Sequence, residues 1–402
     1  MNHSPALVSR RSALLGLTSA VTMLGLGGRA SLALAAAATE QRLVVVIQRG
    51  AMDGLAAVVP YGDPALTGLR GEVTPSGPGQ NGGVLELGGF YGLHPALTGL
   101  HAMYAAGELL PIHAVAGPYR VRSHFEAQDC MESGSDHVLS SGWLNRAVGQ
   151  LAAGSASREG AAVAIGVAMP LLLRGPARVG SWAPHGFGPA PTDIYTEIAA
   201  LTAPDSVIGP AVREGLRARG FSEEALADDP RPHSRSAFAT LGTVAGEMLA
   251  RADGPRIAAL EIGGWDTHAS QAPRLKPALE QLDAGLVALK VALGPVWKNT
   301  AVLTMTEFGR TVRVNGTKGT DHGTASVAFV LGGAVAGGRV AGTWPGLGPG
   351  KLFENRDLAP TTDLRSVAKG LLIQHLGLDG AMVAKVFPAS EAASPMNRLL
   401  RA

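Results

Sequence analysis

Three short stretches of this chain concentrate side chains able to do metal-assisted chemistry: Gly263-Gly264-Trp265-Asp266-Thr267-His268, Thr306-Glu307-Phe308-Gly309-Arg310 and Thr320-Asp321-His322-Gly323. Carboxylates and imidazoles delivered together can hold a divalent ion, and a bound ion activates water or polarises a phosphoryl or sulfuryl oxygen. Asp266 and His268 stand two apart, so on an extended segment their side chains share one face and can reach one ion. A single such residue is more often a solvated or hydrogen-bonded loop residue than a ligand. Here three strand ends each carry a carboxylate beside glycine, where backbones can crowd a ligand.

The polar groups that belong with this set are Asp53, Ser123, Asp266, His268, Glu307, Arg310, Asp321 and His322. Ser123 has two readings. As an N-cap it completes a capping box with Glu126 three positions on. As a nucleophile it sits at a helix N-terminus, where the dipole and free N–H groups stabilise developing negative charge. The adjacent His124 is open between helping as a base and packing.

The elements that must position these groups are legible as apolar runs. Residues 43–47, 109–115, 257–262, 301–305 and 326–331 read as buried strands, and unalternating runs of this kind are typical of parallel sheets covered on both faces. Open α/β sheets place their sites past the carboxyl ends of the strands, which is where Asp53, Asp266 and Glu307 fall. Helical stripes run through 237–249 and through Leu275, Leu279, Leu282, Leu286, Leu289 and Leu293; both are core-facing. The second links two strands in the strand-helix-strand order of a parallel sheet. Another helix opens after His94-Pro95, and the last starts after Pro360 with Thr361 or Thr362 as cap and ends at Gly377. Residues 71–92 read as a surface loop, and the Gly/Pro-rich segment 167–234 as a cap or variable insertion over the site.

At 402 residues and 46% hydrophobic content, the chain can bury a large core. Ser9-Arg10-Arg11-Ser12-Ala13-Leu14-Leu15, the mildly apolar run 14–26 and Ala33-Leu34-Ala35 read as a cleaved twin-arginine signal over residues 1–38, leaving a single domain over 39–402. The run is too short and too rich in Gly, Ser and Thr for a stable span, so no stable membrane insertion is expected. Removing Arg10, Arg11 and Arg29 takes the formal charge from +2 to −1, without the basic stripe of a nucleic-acid binder. Cys130 is the only cysteine, which excludes an intramolecular disulfide and reads as a small buried apolar residue.

These motifs, with Arg49-Gly50-Ala51-Met52-Asp53-Gly54, Ser123-His124-Phe125 and Thr362-Asp363-Leu364-Arg365, resemble the bacterial family catalogued as domain of unknown function 1501, over essentially the whole mature chain. That family is regarded as similar to the alkaline phosphatase and sulfatase superfamily of metal-dependent hydrolases and transferases. The resemblance implies an α/β fold with a mostly parallel central sheet between helices, periplasmic or secreted, delivered by the twin-arginine translocase. It implies an exported hydrolase acting on a phosphate- or sulfate-type ester or related anionic group, of a small molecule or polymer, with one or two divalent ions: zinc, calcium, magnesium or manganese. By the same resemblance Asp53 holds a metal after the first strand, Asp266, His268 and His322 ligate one ion, Glu307 the other, Ser123 is the nucleophile and Arg310 clamps the anionic group. The chain departs from the superfamily at Phe308, where a histidine is usual, and it has no sulfatase nucleophile motif. The Phe308 departure favours a second reading, a non-catalytic periplasmic binding or scaffold protein with a degenerate metal centre.

Overall fold

The computed structural model describes residues 40–151, 161–166, 168–183 and 237–401. The twin-arginine stretch and most of the 167–234 segment lie outside the described residues. The chain enters through β1 (Arg42–Gln48), all seven residues of which are buried. A small antiparallel sheet of β2 (Val58–Val59), β3 (Leu85–Glu86) and β4 (Gly92–Leu93) follows, so the 71–92 segment is partly strand rather than wholly loop. The large sheet then adds β5 (Leu109–Ala116), β6 (Ala162–Ile165), β7 (Val179–Trp182), β8 (Ile257–Ile262), β9 (Thr300–Met305), β10 (Ser326–Leu331) and β11 (Thr362–Asp363). Its order is β11-β5-β10-β9-β1-β8-β6-β7, parallel at every junction except the two made by β10. β7 lies inside the segment read from sequence as a cap; its Val179 to Trp182 instead pair with β6 and extend the sheet edge.

The described helices are α1 (Gly54–Ala57), α2 (Leu66–Arg70), α3 (Thr98–Ala105), α4 (His124–Ser133), α5 (Trp143–Val148), α6 (Ala237–Ala250), α7 (Gln271–Leu293), α8 (Leu364–Gln374) and α9 (Gly380–Val386). Strand pleating divides them between two faces. Val44 and Val46 of β1 join one core with α3, α6 and α7, while Leu43, Val45 and Ile47 join the other with α5, α8 and α9. The leucine stripe of α7 is buried to within 2% exposure at every position. Each such leucine contributes about 1.5–3 kcal/mol relative to exposure. The stripe therefore outweighs the roughly 3 kcal/mol cost of Pro277 inside the same helix. The helix read from sequence as the last is α8, capped by Asp363, which accepts from the Arg365 N–H, and not by Thr361 or Thr362; α9 follows it, capped by Asp379. Cys130 is buried.

Candidate metal centre

Strand direction decides which loops meet. β9, β1 and β8 are parallel neighbours, so the segments after Met305, Gln48 and Ile262 open at one edge of the sheet. β10 runs antiparallel to both β9 and β5, which gives β5 the same direction as β9 and sends the start of β10 to that same edge. The segment after β5, carrying Ser123 and His124, and the segment before β10, carrying Asp321 and His322, therefore join the others. This is the carboxyl edge where open α/β sheets place their ligands.

Local packing then aims each side chain. After β8, Trp265 and Thr267 are buried, the indole N–H bonding the Ile262 carbonyl at 3.0 Å and the Thr267 hydroxyl bonding Gln271 Oε1 at 2.9 Å. The alternate residues, Asp266 and His268, are thereby turned to solvent, with side chains 45% and 46% exposed. After β9, the Thr306 hydroxyl donates to the Gln48 carbonyl at 2.8 Å and accepts from the Met52 N–H at 3.1 Å, tying this turn to the one after β1. A Cβ on Gly309 would stand 1.9 Å from the Ala325 carbonyl oxygen, so only glycine lets the Glu307–Arg310 turn lie against the chain entering β10.

Three imidazoles and a carboxylate meet at this edge. His322 Nε2 lies 3.0 Å from His124 Nε2 and 2.9 Å from His268 Nε2. Asp266 Oδ1 is 3.0 Å from His268 Nε2 and 3.4 Å from His322 Nε2, and its Oδ2 is 3.6 Å from His124 Nε2. The opposite nitrogen of each ring faces an acceptor: His124 Nδ1 is 2.8 Å from Glu307 Oε1, His322 Nδ1 is 3.0 Å from the Arg122 carbonyl, and His268 Nδ1 is 3.3 Å from Asp321 Oδ1. These partners assign the proton of neutral His124 and neutral His322 to Nδ1, whereas His268 has a carboxylate oxygen at each nitrogen, Asp266 at 3.0 Å and Asp321 at 3.3 Å. The Nε2 lone pairs of His124 and His322 and the Asp266 carboxylate then face one another, with His268 Nε2 beside them, an arrangement that calls for positive charge between them. Donors about 2.0–2.1 Å from a tetrahedral ion stand roughly 3.3 Å apart, and the separations of 3.0, 3.4 and 3.6 Å among His124, His322 and Asp266 bracket that value. His124, Asp266 and His322 form a group able to hold a metal ion among the described residues.

The electrostatics agree with that demand. The Glu307 hydrogen bond, against partial burial and with help from Asp266, raises the His124 pKa above the ordinary imidazole value. Burial lowers that of His322, and the charges of His124 and Arg310 add to the effect. Burial opposes ionisation of Asp266, yet the Arg310 hydrogen bond and charge, with the two imidazoles beside it, hold its carboxyl below the usual range. Glu307 is likewise held low despite burial, by bonds from His124, Gln128 and the Gly50 N–H. Phe308, 5% exposed, packs its ring 4.9 Å from His124 and 5.1 Å from His322, giving the cluster an apolar wall.

Of the residues singled out from sequence, Asp266, His268 and His322 are brought together. Glu307 stands behind His124, with its side chain fully buried, rather than among the converging Nε2 atoms. Asp53 lies apart: one carboxylate oxygen caps α1 through the Leu55 and Ala56 N–H groups, and the other pairs with buried Arg70 and accepts from Gln271. Arg310 does not project as an anion clamp. Its buried guanidinium donates to Asp266 at 2.7 Å, to the Thr320 hydroxyl at 3.1 Å and to the Thr320 carbonyl. Ser123 occupies the N-cap position of α4 without a side-chain cap bond, and the capping box is not formed because Glu126 accepts from the Tyr119 hydroxyl instead. His124 is the member whose part sequence left open; its first-turn position on α4, next to Ser123, is the one signal that pointed to it.

Fold and site together define an α/β protein with a mostly parallel, helix-flanked sheet and a histidine–carboxylate cluster at its carboxyl edge. The chain belongs to the family described as protein of unknown function (DUF1501), which it matches over residues 109–387. No curated protein matches it in sequence. Among solved structures, the C-terminal periplasmic domain of EcEptC from Escherichia coli, in complex with Zn, is similar at 10% identity and a TM-score of 0.34, covering 73% of this chain and 72% of that one. Ps i-CgsB in complex with k-i-k-neocarrahexaose is similar at 8% identity and a TM-score of 0.41, covering 88% and 77%. Neither likeness is close enough to define the fold or the chemistry.

Proposed function

We propose that the protein is an exported metal-dependent hydrolase of the alkaline phosphatase-like type, holding a divalent ion through His124, His268, His322 and Asp266. The observation that carries the reading is the set of three imidazoles whose Nδ1 atoms are each engaged by an acceptor while their Nε2 atoms converge. Borderline ions accept such nitrogen-rich sets, whereas calcium and magnesium prefer oxygen cages, so zinc is favoured, with manganese as the competitor. An ion there supplies Lewis acidity toward an ester oxygen. The rest of the work falls to the chain. Arg310 holds Asp266 ionised, Glu307 orients His124, and Phe308 keeps water from that side of the rings. The imidazole that the superfamily has at position 308 is replaced, on this reading, by His124 arriving from α4. Ser123 is the hydroxyl that receives the transferred group, at the amino end of α4. Its oxygen forms the new ester bond as the bond to the substrate's alcohol breaks, its proton leaves with that alcohol, and water then releases the group from the serine. The ester class, phosphate or sulfate, rests on the family resemblance.

The rival reading, a binding or scaffold protein, has its own supporting observation. The guanidinium groups around the cluster are committed: Arg310 to Asp266, Arg122 to Glu354 and Asp357, Arg356 to Asp357, Arg49 to Glu132 and Glu261. A substrate anion would depend on the ion and on His124. Metal content and turnover on phosphate mono- and diesters and sulfate esters decide between the two, measured on protein exported from its native host. Stoichiometric metal with ester turnover supports the hydrolase. Metal without turnover on any ester supports the binding protein, and protein that neither carries nor takes up metal overturns the metal centre.

A further inference from the structure

Asp357 belongs to none of the motifs above, yet it is a fully buried carboxylate on which two arginines converge. Its Oδ2 accepts from Arg122 Nε at 2.9 Å and the Thr324 hydroxyl at 2.8 Å, and its Oδ1 from Arg356 Nε at 2.9 Å. Both arginines grip His322. The Arg122 carbonyl accepts from His322 Nδ1 at 3.0 Å, and the Arg356 guanidinium donates to the His322 carbonyl. Arg122 also immediately precedes Ser123 and His124, so its anchorage places the start of α4 as well. The loop carrying Asp357 is itself pinned, since Asp357 exchanges backbone bonds with Phe353 and the Val312 N–H donates to the Arg356 carbonyl. A buried carboxylate facing two guanidinium groups is held by charge-assisted bonds in a fixed orientation.

We infer that Asp357 is a positioning residue of the candidate centre: through Arg122 and Arg356 it fixes the His322 ring with the proton on Nδ1 and the Nε2 lone pair turned toward His124, His268 and Asp266. Groups that hold the far nitrogen of a ligand imidazole set its tautomer and orientation, and their loss typically costs 10- to 100-fold in metal affinity. Only the affinity part of the inference rests on the proposed metal reading; the tautomer part does not.

The test uses the full chain labelled with 15N-histidine, first stripped with chelator and then titrated with zinc against a competing chelator. In wild type, two-bond proton–nitrogen correlations should show His322 as the single Nδ1–H tautomer. Asp357→Asn should mix its tautomers and weaken zinc roughly 10- to 100-fold. Asp63→Asn is the control, because Asp63 is also a buried acceptor, for the Trp344 indole and the Leu347 N–H, outside the cluster. That variant should lose stability and leave the His322 tautomer unchanged. If Asp357→Asn fails to fold, Arg356→Gln decides, since Arg356 is 43% exposed and its change should shift the tautomer in the same direction. An unchanged His322 tautomer in whichever variant folds overturns the inference. A shifted tautomer in a protein that binds no zinc upholds the positioning role and removes the metal reading instead.

Discussion

Single side chains at the cluster separate into those that face the converging nitrogens and those that stand behind them. Ser123 is the sharpest case, because its hydroxyl makes no capping bond. An N-cap serine that bonds its helix loses about 1 kcal/mol on replacement by alanine. Ser123→Ala should therefore shift stability by no more than about 0.5 kcal/mol in urea unfolding while abolishing ester hydrolysis. Turnover retained by the alanine variant would remove Ser123 from the chemistry. Glu307 makes the complementary case. Glu307→Gln keeps the shape behind His124 but removes the charge that raises that ring's pKa. The expected result is a 10- to 100-fold loss of zinc affinity with the fold intact, read by chelator competition. A complete loss of the site would instead mark Glu307 as a direct ligand.

At the scale of elements, the turn after β1 is a brace. Asp53 and Arg70 form a buried ion pair between α1 and α2, and Gln271 at the start of α7 donates to the same carboxylate at 2.5 Å. Gln271 Oε1 in turn accepts from the Thr320 hydroxyl, which bonds Arg310, which holds Asp266. A buried chain of polar contacts thus runs from the first strand to the cluster. Breaking a buried pair by removing one partner leaves an uncompensated charge, at a cost of about 3–5 kcal/mol. Asp53→Ala should show that loss equally in metal-loaded and chelator-stripped protein, measured by thermal or urea unfolding. A loss that appears only with metal present would instead make Asp53 a ligand.

For the whole molecule, two buried histidines contribute to the acid limb of stability. His113 bonds the Val58 carbonyl and His375 the Arg42 carbonyl, and burial pushes both pKa values down to about 4 from 6.5. Below about pH 6.5 the unfolded chain takes up these protons while the folded chain does not. The stability these two rings allow is thus complete above that value and falls as pH drops toward 4, by up to roughly 3 kcal/mol per ring. A His375→Gln variant should show a flatter decline in urea unfolding between pH 6.5 and 4 than wild type, and an identical slope would place the titration elsewhere. Among the described residues no helix is long and apolar enough to cross a membrane. If Arg10 and Arg11 direct twin-arginine export, Arg10→Lys with Arg11→Lys should hold the protein in the cytoplasm on fractionation. Undiminished periplasmic accumulation of that double variant would end the export proposal.

What the sequence determined by itself was whatever depends on near neighbours along the chain. The valine run of β1, the apolar runs of β8 and β10 and the leucine stripe of α7 each bury a continuous face, and run length separates the three short strands from the long helix. The alternation Trp265-Asp266-Thr267-His268 likewise sets two side chains inward and two outward before any fold is known. β6 and β7 were not legible, because each is four residues long and lies in or beside Gly- and Pro-rich sequence. Tertiary structure alone decided which polar groups meet. The antiparallel insertion of β10 brings His322 to the edge where α4 delivers His124, residues separated by 198 positions. The same packing turned Asp53 and Arg310 inward, because a buried charge is stable only where the fold supplies its partner, and no local pattern of residues encodes that partner's arrival.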